Sequence, residues 1–201
     1  MANYEYIVSS LPALTINWKF GEGSSFGTYI SWIKSQLEES DINTLDFLLS
    51  GYEESSLNKG FYETALSYRN RFIREFFRFD LNFRNAKARF INKALGRPET
   101  MDTIEIPAGE FTETGKLNEI LSGTDLLAKE KGMDSLVWDK INELTTFSYF
   151  DMDAILGFVA RLHIIDRWFS LDEETGRDMF IRLVEDLNDT TKSIKYVAPK
   201  E

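Results

Sequence analysis

Between Phe61 and Leu95 apolar residues return at intervals of three and four. On a helix turning about 100° per residue, Phe61, Ala65, Tyr68, Phe72, Phe76, Phe79, Phe83, Ala86 and Phe90 share one narrow face. A second strip, Leu66, Ile73, Phe77, Leu81, Ala88, Ile91 and Leu95, lies about a third of a turn round. The pattern predicts one long helix over 58–95, closed by Gly96 and Pro98 and on the order of 50 Å long. Helices are also predicted over 25–39, over 42–50 behind a capping Asp41, and over 114–131, 133–147, 152–169 and 173–190. Ser170 and Glu173 have capping-box spacing for the last of these, and the acidic cluster Asp172, Glu173 and Glu174 suits its first turn. At the start, Tyr4, Tyr6 and Val8 alternate, and the pattern leaves strand and short helix both open.

Proline supplies the punctuation. Only four occur, and two of them fall in GRPETMDTIEIPAGEFT, residues 96–112, where helical periodicity stops. The expected organisation is therefore all-α: an elongated multi-helix bundle of two helical units around a long central helix. The units are 1–97 and 113–201, joined by a linker at 98–112 or merged into one continuous domain.

Charge sharpens this picture. The 201 residues carry a net charge of −10, yet residues 61–97 hold nine basic side chains against three acidic ones. Arg71, Arg74, Arg78 and Arg89 gather on the side of the helix away from both apolar strips. They are candidates for contact with an acidic partner surface, or for pairing with the acidic remainder of the chain. Asp80 and Arg84, four apart, project between the strips and are expected to form a structural ion pair. An RNA-binding role for the basic face, Arg69 to Arg89, is the alternative. The net charge argues against it, because phosphate binding needs cations in excess, and the phenylalanines have core spacing rather than that of a stacking platform.

Little else points to chemistry. There is no cysteine, so no disulfide or thiolate site can form, and the content fits a reducing cytoplasm. The single histidine, His163, falls in an apolar helix and reads as a core residue. Asp151 and Asp153 read as cap and first-turn carboxylates rather than metal ligands. FGEGSSFG lacks the ending of a phosphate-binding loop. No catalytic, cofactor or metal site is expected, and neither is a secretory signal or membrane span.

Four segments carry a resemblance: YEYIVSSLPAL, RNRFIREFFRFDLNFRNAKARFINKALGRP, LLAKEKGMDSLVWDKINELT and FSYFDMDAILGFVARLHIIDRW. Together they resemble an uncharacterised bacterial family associated with V/A-type ATPases, itself similar to a shortened central-stalk C subunit (d in the eukaryotic complex). The resemblance implies a helical adaptor between rotor shaft and membrane ring, in a complex that couples ATP to proton or sodium transport. It implies cytoplasmic placement, peripheral to the inner membrane through those partners, and no cofactor. The C subunit's repeats carry an acidic residue and an asparagine, then a basic helix and a glycine; the resemblance sets Asp80, Asn82, Asn85, Arg89 and Gly96 in such places. At an offset of 73, Phe76, Phe77, Asp80 and Phe83 fall against Tyr149, Phe150, Asp153 and Leu156, a hint of a repeat.

Overall fold

Asparagine and aspartate side chains set most helix starts in the computed structural model, which describes residues 3–170. Asn3 caps α1 (Tyr4–Ser10), so the opening segment is a helix and not a strand. Ser25 and Thr28 form a capping box at the head of α2 (Phe26–Gln36). The third helix, α3 (Glu39–Ser50), begins two residues before the expected cap, and Asp41 instead accepts a hydrogen bond from the Tyr4 hydroxyl at 2.7 Å. A 3₁₀ turn at Glu54–Ser56 leads to α4 (Lys59–Leu66), capped by Asn58, then α5 (Arg71–Ala94), α6 (Thr114–Ser122), α7 (Leu126–Thr145) and α8 (Met152–Ser170). The described residues form an all-α multi-helix bundle with no strand. The helix expected over 173–190, with its capping pair and acidic cluster, lies outside the described residues.

The single helix expected over 58–95 is two. Hydrophobic spacing runs through the junction, but Asn70 takes an extended backbone and its side chain accepts from the Ile73 amide at 2.9 Å. That cap starts a new helix. Arg74 reaches back to the carbonyl of Tyr68 at 2.9 Å and satisfies the turn between the two. The central helix α5 is therefore 24 residues long, about 36 Å. A second boundary also moves. Gly132, at the expected break between 114–131 and 133–147, lies inside α7, where a Cβ would come within 3.0 Å of Ile120 on α6. The glycine is there for close packing, and the break falls at 123–125, with the Asp125 carboxylate capping the Leu127 and Ala128 amides.

One apolar core runs through both expected units. Ile7, Ile33, Leu45, Leu48, Phe72, Phe77, Ile141, Ile155 and Val159 all belong to it, with α8 packed against α1, α2, α3, α5 and α7. Gly157 lets α8 approach α7: a Cβ there would sit 2.4 Å from the Thr145 methyl group. A smaller cluster, Leu117, Leu121, Met133 and Leu136, packs with Phe83, Ala86, Phe90 and Phe111 beneath the second half of α5. The residues paired by the 73-residue offset lie in unlike surroundings: Phe76 and Phe77 are buried, whereas Tyr149 and Phe150 are exposed.

The segment read as a linker is an extended strap tied to α5. Asn85 donates to the Ile104 carbonyl and accepts from the Ile104 amide, both at 2.9 Å. Asn82 donates to the Ala108 carbonyl at 3.3 Å, and Asn92 to that of Met101 at 2.7 Å. Positions 82, 85 and 92 share a helix face, so three side chains do for the strap what a neighbouring strand would do in a sheet. Replacing Asn85 with alanine leaves both Ile104 backbone groups unpaired. We expect a loss of about 2–3 kcal/mol in urea unfolding, together with faster proteolysis between residues 98 and 112.

Candidate functional site

The four arginines proposed for a partner lie along α5, but each has a partner within the chain. Glu75 stands between two of them: Arg78 donates to its carboxylate at 2.6 Å, and Arg74 Nε lies 3.4 Å from its other oxygen. Arg89 pairs with Glu105 of the strap at 3.2 Å. Arg71 donates to the Leu144 carbonyl at 2.6 Å and lies 3.6 Å from Asp153. Asp153 also accepts from the Asn70 side-chain Nδ2 at 2.7 Å. The basic face is thus stitched to its own acidic surroundings at several points, and its side chains are half-buried or exposed rather than uniformly free.

Asp80 and Arg84 do meet. Arg84 Nε lies 3.1 and 3.0 Å from the two carboxylate oxygens, and the buried Tyr62 hydroxyl donates to the same carboxylate at 2.6 Å. The pair therefore joins α5 to α4, not only one turn of α5 to the next. Burial, with the nearby Asp80 charge, pushes the Tyr62 phenol well above its ordinary range.

At the N-terminal end of α5 the contacts of Arg71 and Asn70 fasten the turn between α7 and α8. That turn, TFSYFDMD, carries the two most exposed aromatic side chains of the described residues, Phe147 at 86% and Tyr149 at 69%, with Phe150 at 54% beside them. Asp151 caps α8 by accepting from the Ala154 amide at 2.9 Å, and Asp153 is held by α5. The turn is firmly anchored at both ends while its three rings face outward. Adjoining apolar rings on a fixed turn are the kind of surface that a second protein covers. Of the four arginines, Arg71 alone anchors this turn.

Nothing in local spacing announces this surface beyond an aromatic-rich stretch at a helix end and its cap. Other residues were equally silent. Asp134 is buried on α7 and accepts from Arg167 and the Trp168 indole of α8; its partners are more than thirty positions away, beyond the reach of local spacing. Glu75 and Glu105, which hold three of the arginines, carry no signal except charge.

His163 is half-buried and its ring stacks on Tyr52, with centroids 3.7 Å apart and planes at 7°. Burial, with help from Arg167, lowers its pKa from 6.5 to about 4. The unfolded chain then binds a proton between these values that the folded chain does not, so stability rises with pH through that window. The expected loss on acidification from pH 6.5 to 4 is on the order of 2–3 kcal/mol from this residue. His163→Gln should flatten the dependence of the melting temperature on pH there; an unchanged slope would remove the histidine as its source.

Residues 102–191 match the family DUF2764, described as a protein of unknown function. The match covers the strap from residue 102, with α6, α7 and α8, and continues past the described residues. No curated protein and no solved structure matches the chain.

Proposed function

We propose that this protein is a non-enzymatic subunit or accessory factor of a V/A-type ATPase, an adaptor of the C-subunit kind between rotor shaft and membrane ring. The resemblance of its four segments supplies the partner. The observation that carries the docking mode is the anchored turn with Phe147, Tyr149 and Phe150 outward and Arg71 at its base. This moves the contact from the length of the α5 arginine face to one end of it. An adaptor that transmits torque needs a contact that does not yield, and a turn fixed by Arg71, Asn70, Asp151 and Asp153 meets that need.

Attachment to the membrane would be indirect. No helix among the described residues is long and apolar enough to cross a bilayer, so the proposed place is beside the membrane, held by protein partners. The RNA-binding reading draws nothing from the geometry: to grip phosphates, Arg74, Arg78 and Arg89 would first have to leave Glu75 and Glu105.

The test is to tag the protein in its native host, solubilise membranes mildly and identify what comes with it by mass spectrometry. Shaft and ring subunits at comparable abundance are the expected result; unrelated soluble proteins or RNA without ATPase subunits would refute the proposal. The triple variant Phe147→Ser, Tyr149→Ser, Phe150→Ser should lose those subunits while its stability changes by no more than about 0.5 kcal/mol per site. Retained assembly in that variant would take the turn out of the interface.

A further inference from the structure

A cavity of about 360 Å³ opens on the side of α5 away from the strap, closed by Tyr52, α7 and α8. Its apolar lining includes Phe76, Phe83, Met133, Val137 and Ile164. The polar lining is unevenly occupied. Every buried or half-buried carboxylate in the wall has its cation or donor: Asp80 takes Arg84 and Tyr62, Asp134 takes Arg167 and Trp168, and Glu130 takes Arg167. Glu54, at the edge, is exposed.

The donors are not so matched. The Tyr52 hydroxyl is buried with no hydrogen-bond partner. Leaving such a group unpaired costs about 1–3 kcal/mol, and its ring is fixed by the stack on His163. Tyr52 lines the same cavity as Asp80 and Arg84, and burial, helped by the Asp80 charge, raises the pKa of its hydroxyl. Arg84 uses Nε on Asp80, and its terminal nitrogens make no hydrogen bond among the described residues. Lys87, one turn along α5, lines the same cavity and forms no ion pair among the described residues. Satisfied acceptors, one unpaired buried hydroxyl, the exposed end of Arg84 and the half-buried Lys87 over an apolar floor suit a ligand that brings the acceptors.

We propose that this cavity binds a small organic anion, its carboxylate or phosphate head taken by Tyr52, Arg84 and Lys87 and its apolar body resting on Phe76, Phe83 and Met133. The volume suits a ligand of one or two rings, and a guanidinium with free terminal N–H groups beside an ammonium is suited to a planar or tetrahedral oxyanion. The site lies apart from the turn between α7 and α8, so it stands or falls independently of the adaptor proposal.

Calorimetric titration of the full chain with 1-naphthyl phosphate, 1-naphthol and inorganic phosphate tests it. The ester should bind at one saturable site, with each half at least about tenfold weaker. Lys87→Met should weaken binding of the ester about tenfold without lowering the melting temperature. Tyr52→Phe should raise the melting temperature of the free protein, by removing an unpaired hydroxyl, and still weaken binding. Equal affinity for naphthol and the ester would overturn the proposal, as would equal affinity for inorganic phosphate and the ester, no saturable binding of the ester, unchanged binding in both variants, or a lower melting temperature for Tyr52→Phe.

Discussion

The paired hydrogen bonds between Asn85 and the backbone of Ile104 are the constraint on which the arrangement of the two halves depends. An extended segment that leaves a helix, crosses a surface and enters another helix has no regular ladder to satisfy its amides and carbonyls. Here the helix it crosses provides one, from Asn82, Asn85 and Asn92. With the strap fixed, Phe111 is brought against Phe79, at 5.6 Å between ring centroids, and α6 is set under Phe83 and Phe90. Those contacts in turn place α7 against α5, and α8 closes the main core.

The same economy governs the charges. A helix this basic in a chain this acidic has two uses for its arginines, and the geometry divides them. Arg74, Arg78 and Arg89 are taken up by Glu75 and Glu105, while Arg71 ties the carbonyl end of α7 to the start of α5. Exposed pairs of this kind each contribute little to stability; their effect is to hold the direction of long side chains. The surface proposed for a partner is instead aromatic, at the turn between α7 and α8.

How much of this could be read from the sequence follows from the range of each interaction. The α5 stripe and the Asp80–Arg84 spacing depend on contacts three or four positions apart and are legible, although the second strip runs out of the core at Ile91 and Leu95, which are exposed. The break at Asn70 is not legible, because phenylalanine spacing continues across it and one cap decides the matter. The expected break between 131 and 133 fails for the converse reason: a glycine is locally a poor helix former, but Ile120 of α6 needs the space that Gly132 leaves. The linker reading of 98–112 identified the absence of helix correctly and missed the tie, since the asparagines that make it lie on another element. Tyr52, Asp134 and the outward rings at 147–150 acquire meaning only once distant helices are brought together.

Docking through the turn is tested by photo-crosslinking in native membranes from two positions, Tyr149 on the turn and Arg89 beside the strap. Each would be replaced in turn by a photoreactive residue. Covalent products with ATPase shaft or ring subunits are expected from position 149 and none from position 89, where the neighbour is Glu105 of the same chain. Products from 89 with no product from 149 would return the interface to the arginine face, and the absence of ATPase subunits from both would contradict the adaptor itself.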